Sequence, residues 1–219
     1  MKTYHVMFVL MLTAFALFSG SHSLFARTLT LTAEDCDQIA CLNAEVPRMS
    51  WAVCQHGRGI FDTSHQLQLR PNMAVLLRFP LDKIPAGQRI LKAEISLHVQ
   101  LVGGGRVQVR RLLTDWGAGV CHQYKRTYPE KVEWSQVGAR GAGTDRVAKD
   151  TAVLAVRAVG DDTGDVTEDV ELWYTQGAKN FGWIMTLENE QGSVYLASPY
   201  APNTNESKQW KLQITFEPE

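Results

Sequence analysis

The stretch HQYKRTYPEKVEW, residues 122–134, places Tyr124, Tyr128 and Trp134 beside Lys125, Arg126 and Lys131. It has neither the period-two alternation of a half-buried strand nor a continuous helical stripe, so it reads as a loop. Aromatic rings stack on the flat apolar C–H faces of sugars. Arginine grips a sugar carboxylate in a bidentate manner, and lysine holds it as a point charge. Together with Trp116, these residues are the candidate ligand-binding set, and the ligand chemistry they suit is a polysaccharide, in particular an acidic one. Pro129 and a bridge at Cys121 would hold the loop and lower its ordering cost on binding. Trp116 and Trp134 also admit a second reading, as rings that pack the loop onto its support.

Catalytic signatures are missing. The chain has no G-x-S-x-G elbow and no H-E-x-x-H helix. Its six histidines are scattered: His5 and His22 lie in the leader, His98 sits on the polar face of a strand where solvent would take it, and His56, His65 and His122 could meet only through the fold. A non-enzymatic module is expected. Asp145 in GARGAGTDR, and Asp161, Asp162 and Asp165 in GDDTGD, are weak calcium candidates. Calcium needs six to eight oxygens, and neither stretch has the spacing of an EF-hand loop. No other cofactor is expected.

The opening MKTYHVMFVLMLTAFALFSGSHSLFA has the three-part layout of a secretory signal peptide: Lys2, an apolar run from Val6 to Phe18, then small residues. The run is shorter than the roughly 20 residues that span a bilayer. Residues 1–26 are therefore expected to be removed, with cleavage after Ser23 as an alternative, and 27–219 to form one secreted, periplasmic or envelope domain, large enough for its own core. The 22 Lys+Arg against 23 Asp+Glu argue against a nucleic-acid or membrane partner. In an oxidising compartment Cys36, Cys41, Cys54 and Cys121 are expected as disulfides. One of the three pairings joins Cys36 to Cys41 and Cys54 to Cys121. The metal alternative, Cys36, Cys41, Cys54 and His56, lacks the paired knuckles of a structural zinc site.

The elements that must position the loop read as strands. In AEISLHVQL, Ala93, Ile95, Leu97, Val99 and Leu101 share one face and Glu94, Ser96, His98 and Gln100 the other. GGG at 103–105 and RVQVR at 106–110 read as the turn and second arm of a hairpin. In QWKLQITF, Trp210, Leu212, Ile214 and Phe216 alternate with polar residues. TLTLT, MAVLLRF, AVLAVRAV, GWIMTL and SVYLAS are further strand candidates, with turns at IPAGQ and ENEQGS. Many short strands with little helix predict an all-β antiparallel sandwich of jelly-roll type. One short helix is expected near 166–175, where Val166, Val170, Trp173 and Tyr174 recur at helical spacing. Asp165 and Glu168 would form its capping box, Gly177 its stop, and Trp173 a core plug beneath it.

LLRFPLDKIPAGQRILKAEISLHV resembles the central motif of DNRLRE domains, where an LLRF-D strand leads through an IP-G turn to I--A-L-L. DWGAG, VEW, GARGAGTDR, DVTEDVELWYTQGAKNFGWIM and WKLQITF continue the resemblance in family order over residues 62–217. The N-terminal part, with Cys36, Cys41 and Cys54, departs from the family pattern, and the usual N-G dipeptide before the second strand is not evident. The resemblance implies an exported β-sandwich and a non-catalytic carbohydrate-binding module, a class that includes alginate binders. The rival expectation is a structural or adhesive module of an extracellular or envelope assembly whose partner is protein.

Overall fold

The computed structural model describes residues 25–32, 35–55, 66–188, 192–197 and 210–219, without the side chains of 51–55 and 66–67. In chain order the elements are β1 (Arg27–Leu31), β2 (Gln38–Asn43), β3 (Trp51–Gln55), β4 (Gln66–Leu69), β5 (Met73–Arg78), β6 (Gln88–Val102), β7 (Val107–Arg111), β8 (Tyr124–Arg126), β9 (Val132–Glu133), β10 (Ala152–Leu154), β11 (Gly160–Asp165), α1 (Thr167–Tyr174), β12 (Trp183–Leu187), β13 (Val194–Ala197) and β14 (Lys211–Pro218). The first sheet runs β1-β14-β6-β13-β4, with β11 also on β6; the second runs β10-β7-β12-β5-β2-β3. All strand pairs are antiparallel. The chain is an all-β sandwich, as the period-two patterns predict.

One apolar cluster lies between the two sheets. Ala93, Ile95, Leu97 and Val99 of β6 and Leu212, Ile214 and Phe216 of β14, with Trp210 just before it, face Val75, Leu77, Val107, Val109, Trp183 and Met185 of the second sheet. The alternation that predicted this face fails at one position. Leu101 is 51% exposed, beyond the end of the covered stretch. The helix closes the sandwich from the side: Val166, Val170 and Trp173 are buried, and the Trp173 ring lies 4.7 Å from that of Trp183 at 57°. Its start differs from the expected capping box. Val166 is the N-cap and has no capping side chain, so Asp165 reaches the Thr167 N–H at 2.9 Å from one position earlier, and Glu168 makes no return bond.

Other expectations need correction. GGG at 103–105 is not a hairpin turn. β6 belongs to the first sheet and β7 to the second, so the glycines carry the chain across the sandwich, with φ of 92° at Gly104 and 112° at Gly105. A Cβ at Gly103 would sit 2.4 Å from Ser193 Oγ, so the crossing is also a close backbone contact. The apolar run AVLAVRAV makes only the short β10. Val156 then takes φ 46°, which is unusual for a β-branched residue, and donates its N–H to Asp162 Oδ2 at 2.7 Å.

Among the described residues no two cysteines stand at disulfide distance, so the expected bridges are not seen there. Cys41 lies five steps of mostly extended chain beyond Cys36, about 16 Å at roughly 3.3 Å per residue, against the 4.4–6.8 Å between Cα atoms that a disulfide needs. The Cys36 thiol instead lies 3.0 Å from the Arg78 carbonyl. Cys41 and Cys121 are buried thiols, and burial pushes that of Cys41 up to about 12. The side chain of Cys54, together with His56 and His65, lies outside the described residues.

A second apolar cluster covers the outer face of the second sheet. Ala40 and Leu42 of β2, Ala74 and Leu76 of β5 and Ile184 of β12 pack against Leu112, Trp116, Val120, Trp134 and Ala139. This explains why those strands read IACL, AVLL and WIM rather than alternating, since both of their faces are buried. The covering layer comes from residues 112–147, and the opening stretch of rings and cations is part of it.

Candidate functional site

The loop forms a small two-stranded ribbon, β8 paired with β9, in which Tyr124 faces Glu133 and Arg126 faces Val132. The stretch before it runs alongside: Gly117 N–H bonds to Lys125 O at 3.0 Å, Thr127 N–H to Ala118 O at 2.9 Å, and Cys121 N–H to Tyr124 O at 2.8 Å. That approach requires Gly119, where φ is 75° and an added Cβ would meet Thr127 Oγ1 at 1.7 Å. Gln123 fastens the base of the ribbon to the 44–50 turn. Its N–H donates to Pro47 O at 2.9 Å, and Arg48 Nε donates to its Oε1 at 3.0 Å.

Trp116 and Trp134 are not ligand platforms. They are 3% and 4% exposed, their rings lie in the second cluster, and their indole N–H groups donate to Phe181 O at 2.8 Å and Cys121 O at 2.9 Å. No ring face remains for a sugar to stack on. They anchor the ribbon, which is the packing role that their sequence also allowed.

The rest of the set stands on that anchor. Tyr128 is 73% exposed and is the most open described tyrosine. Lys131 Nζ lies 5.9 Å from the centre of the Tyr124 ring, within the range of a cation–π contact. Two of the cations already have partners: Lys125 Nζ donates to Thr114 Oγ1 at 2.7 Å, and Arg126 Nη2 lies 3.4 Å from Glu130 Oε1. The ribbon therefore offers Tyr128, the Tyr124–Lys131 pair and an Arg126 held by an exposed carboxylate.

The calcium candidates have other work. Asp145 is 2% exposed. Its Oδ1 accepts the Ser135 N–H at 2.9 Å; its Oδ2 accepts the Ser135 hydroxyl at 2.8 Å and the N–H groups of Gln136 and Gly141 at 3.0 Å each. Four donors from its own loop occupy this buried carboxylate, which is the role the loop gives it. Burial alone would raise its pKa, but these donors outweigh burial and hold it below the usual aspartate range. GDDTGD is strand β11 rather than a loop. Asp161 Oδ1 meets His98 Nδ1 at 2.6 Å across the β6–β11 pair, so His98 is paired rather than solvated. Asp162 holds Val156, and Asp165 holds the start of the helix. Among the described residues no three His, Cys, Asp or Glu side chains converge as a metal site.

Sequence reasoning missed Asp169. It sits inside the apolar stripe of α1, at i+3 from Val166, and is 6% exposed. Its Oδ1 takes Arg111 Nε at 2.8 Å, while its Oδ2 takes the Thr151 hydroxyl and Trp183 Nε1, each at 2.8 Å. The helix is thereby tied to the second sheet and to the segment before β10. A carboxylate among core positions was the available signal, because a buried charge needs partners. Beside it lies a cleft of about 430 Å³ lined by Arg111, Lys149, Asp150, Glu168 and Asp169. Opposite charges share this cleft, and Arg111, Asp150 and Asp169 already bond to neighbours.

Comparison of the chain with models of known protein families and with curated proteins finds no match.

Proposed function

We propose that this chain is an exported, non-catalytic module that binds polysaccharide, with an acidic glycan as its ligand class. The observation that carries the reading is the exposed Tyr128 on a ribbon fixed to a second apolar cluster, beside the Tyr124–Lys131 pair. A ring on an anchored support loses little conformational freedom on binding, which favours stacking of a sugar face. The resemblance to DNRLRE domains and the expected signal peptide agree with this role, with the mature chain secreted or in the cell envelope.

A glycan array on the mature protein, followed by calorimetry on Tyr128→Ala, tests the reading. Covering half of a tyrosine ring buries about 75 Å², worth about 2 kcal/mol at roughly 25 cal/mol per Å². Loss of the ring should weaken binding of neutral and acidic oligosaccharides alike by tenfold or more. A glycan that binds equally well to both proteins would place the binding face elsewhere.

One observation favours a protein partner. Among the described residues the outer edge of β1 pairs with no strand, and an open edge is a template for strand addition. That module would show no glycan on the array, and a peptide carrying the partner strand would protect the β1 amides from hydrogen exchange.

A further inference from the structure

On the ribbon, Lys125 already bonds Thr114 Oγ1, Lys131 stands over the Tyr124 ring, and Arg126 meets only Glu130 at 3.4 Å while its Nε has no acceptor among the described residues. Arg110 and Arg146 stand together on the outer face of the second sheet. Along β7, Val107 and Val109 point into the sandwich, so Arg110 points outward. Leu112 belongs to the outer cluster and forms an antiparallel bridge with Arg146. Directly opposed residues of an antiparallel pair project to the same side, so Arg146 shares the face of Leu112 and lies diagonal to Arg110, at the ~7–8 Å spacing of such neighbours.

Their acceptors are few. Asp150 is the shared counter-ion: its Oδ1 lies 2.6 Å from Arg110 Nε and its Oδ2 accepts Gln108 Nε2 at 3.1 Å. Asp145, next to Arg146 in sequence, is filled by the donors of its own loop. The Arg146 side chain has five N–H donors, yet among the described residues it makes one hydrogen bond, from Nη1 to Val147 O at 3.3 Å, and its Nε is shut off from solvent without an acceptor there. Burial and the nearby Arg110, with Arg140 adding to it, hold the Arg146 guanidinium below the usual arginine range. A buried charged donor without an acceptor is costly and rare in a finished structure. An incoming oxyanion would remove that cost.

We propose that Arg110 and Arg146 form an oxyanion subsite that takes the carboxylate or sulfate group of an acidic glycan. The nature of the ligand rests on the polysaccharide reading above. Tyr128 then supplies stacking that ignores charge, and the arginine pair supplies the preference for acid. A planar carboxylate suits the fork of a guanidinium, and two guanidinium groups side by side suit a group with several oxygens.

The probes are a uronic-acid tetrasaccharide, its carboxyl-reduced neutral counterpart and inorganic sulfate. Calorimetry on wild type should find the acidic sugar bound at least tenfold more tightly than the reduced one. Arg146→Gln should remove that gap by weakening the acidic sugar alone, and Arg89→Ala, at an exposed arginine of β6 paired with Glu217, should leave it in place. In the nuclear magnetic resonance spectrum of wild type, sulfate should shift the Arg146 Nε–H signal saturably. If Arg146→Gln folds and keeps the gap, the subsite is wrong and glycan binding by the ribbon stands. Where sulfate saturates the Arg146 signal and no sugar binds, the subsite stands and the polysaccharide reading falls. Should Arg146→Gln fail to fold, the wild-type titration decides: a saturable shift supports the subsite, and no shift overturns it.

Discussion

Replacing Asp145 by asparagine keeps its shape and tests why the loop needs a charge there. The carboxylate accepts four hydrogen bonds: Ser135 N–H on Oδ1, and the Ser135 hydroxyl, Gln136 N–H and Gly141 N–H on Oδ2. An amide has one acceptor oxygen. Placed at Oδ2 it keeps up to three donors, and its NH2 then faces the Ser135 N–H, donor against donor. Each kept bond falls from charge-assisted to neutral, a loss of about 1 kcal/mol, and the orphaned N–H costs about 1–3 kcal/mol more. These losses share one site and do not add in full, so the expected destabilisation is about 3–4 kcal/mol. Urea unfolding followed by tryptophan fluorescence should show the midpoint falling by about 1.5–2 M for a slope near 2 kcal/mol/M. The gap should depend on pH. Because the folded pKa of Asp145 is lowered, its stabilisation is complete above the unfolded value of about 3.9 and is lost as pH falls through the folded value. Below about pH 4 wild type should therefore approach Asp145→Asn. A midpoint change under about 0.5 M at pH 7 would refute the account.

Three further outcomes are expected. Gly141→Ala would put a Cβ 2.0 Å from Ser135 Oγ, 2.4 Å from Thr144 Oγ1 and 2.6 Å from Asp145 Oδ2, so thermal melting should show a loss of about 1–3 kcal/mol; an unchanged melting temperature would mean that the loop has slack. Trp173→Ala removes the ring that packs on Trp183 and should cost about 3–5 kcal/mol in chemical denaturation; a loss below about 1 kcal/mol would remove the helix from the core. With no reductant present, the folded protein should leave Cys41 unreactive to a thiol reagent at pH 8, because burial pushes that thiol up to about 12. Denaturant should then expose at least the two thiols of Cys41 and Cys121, and a smaller count would restore a disulfide.

The sandwich is legible where a strand buries one face. Trp210, Leu212, Ile214 and Phe216 alternate in sequence and all are buried. Alternation states which face is covered, but it does not state which sheet the strand joins. The GGG stretch therefore looks like a hairpin turn when it is a crossing. The covering layer was less legible still. Trp116 and Trp134 sit in aperiodic chain, where a ring that meets a ligand and a ring that meets a sheet have the same spacing. The unbroken apolar runs of β2, β5 and β12 were the indirect sign that something must cover them. Asp145 reads as a weak calcium candidate because backbone carbonyls of its glycine-rich neighbours in GARGAGTDR could join it. Those same neighbours let backbone N–H groups close around it instead.

The second sheet is a wall between two interiors. One peptide bond separates Leu77, which faces the sandwich, from Leu76, which faces the outer layer; Trp183 and Ile184 divide in the same way. Alternate positions of β2, β5 and β12 thus belong to different compartments, although they are neighbours in the chain. The outer set can diverge together with residues 112–147 while the inner set stays as it is. Such a partition lets the covering layer, ribbon included, be rebuilt without redesign of the sandwich that carries it.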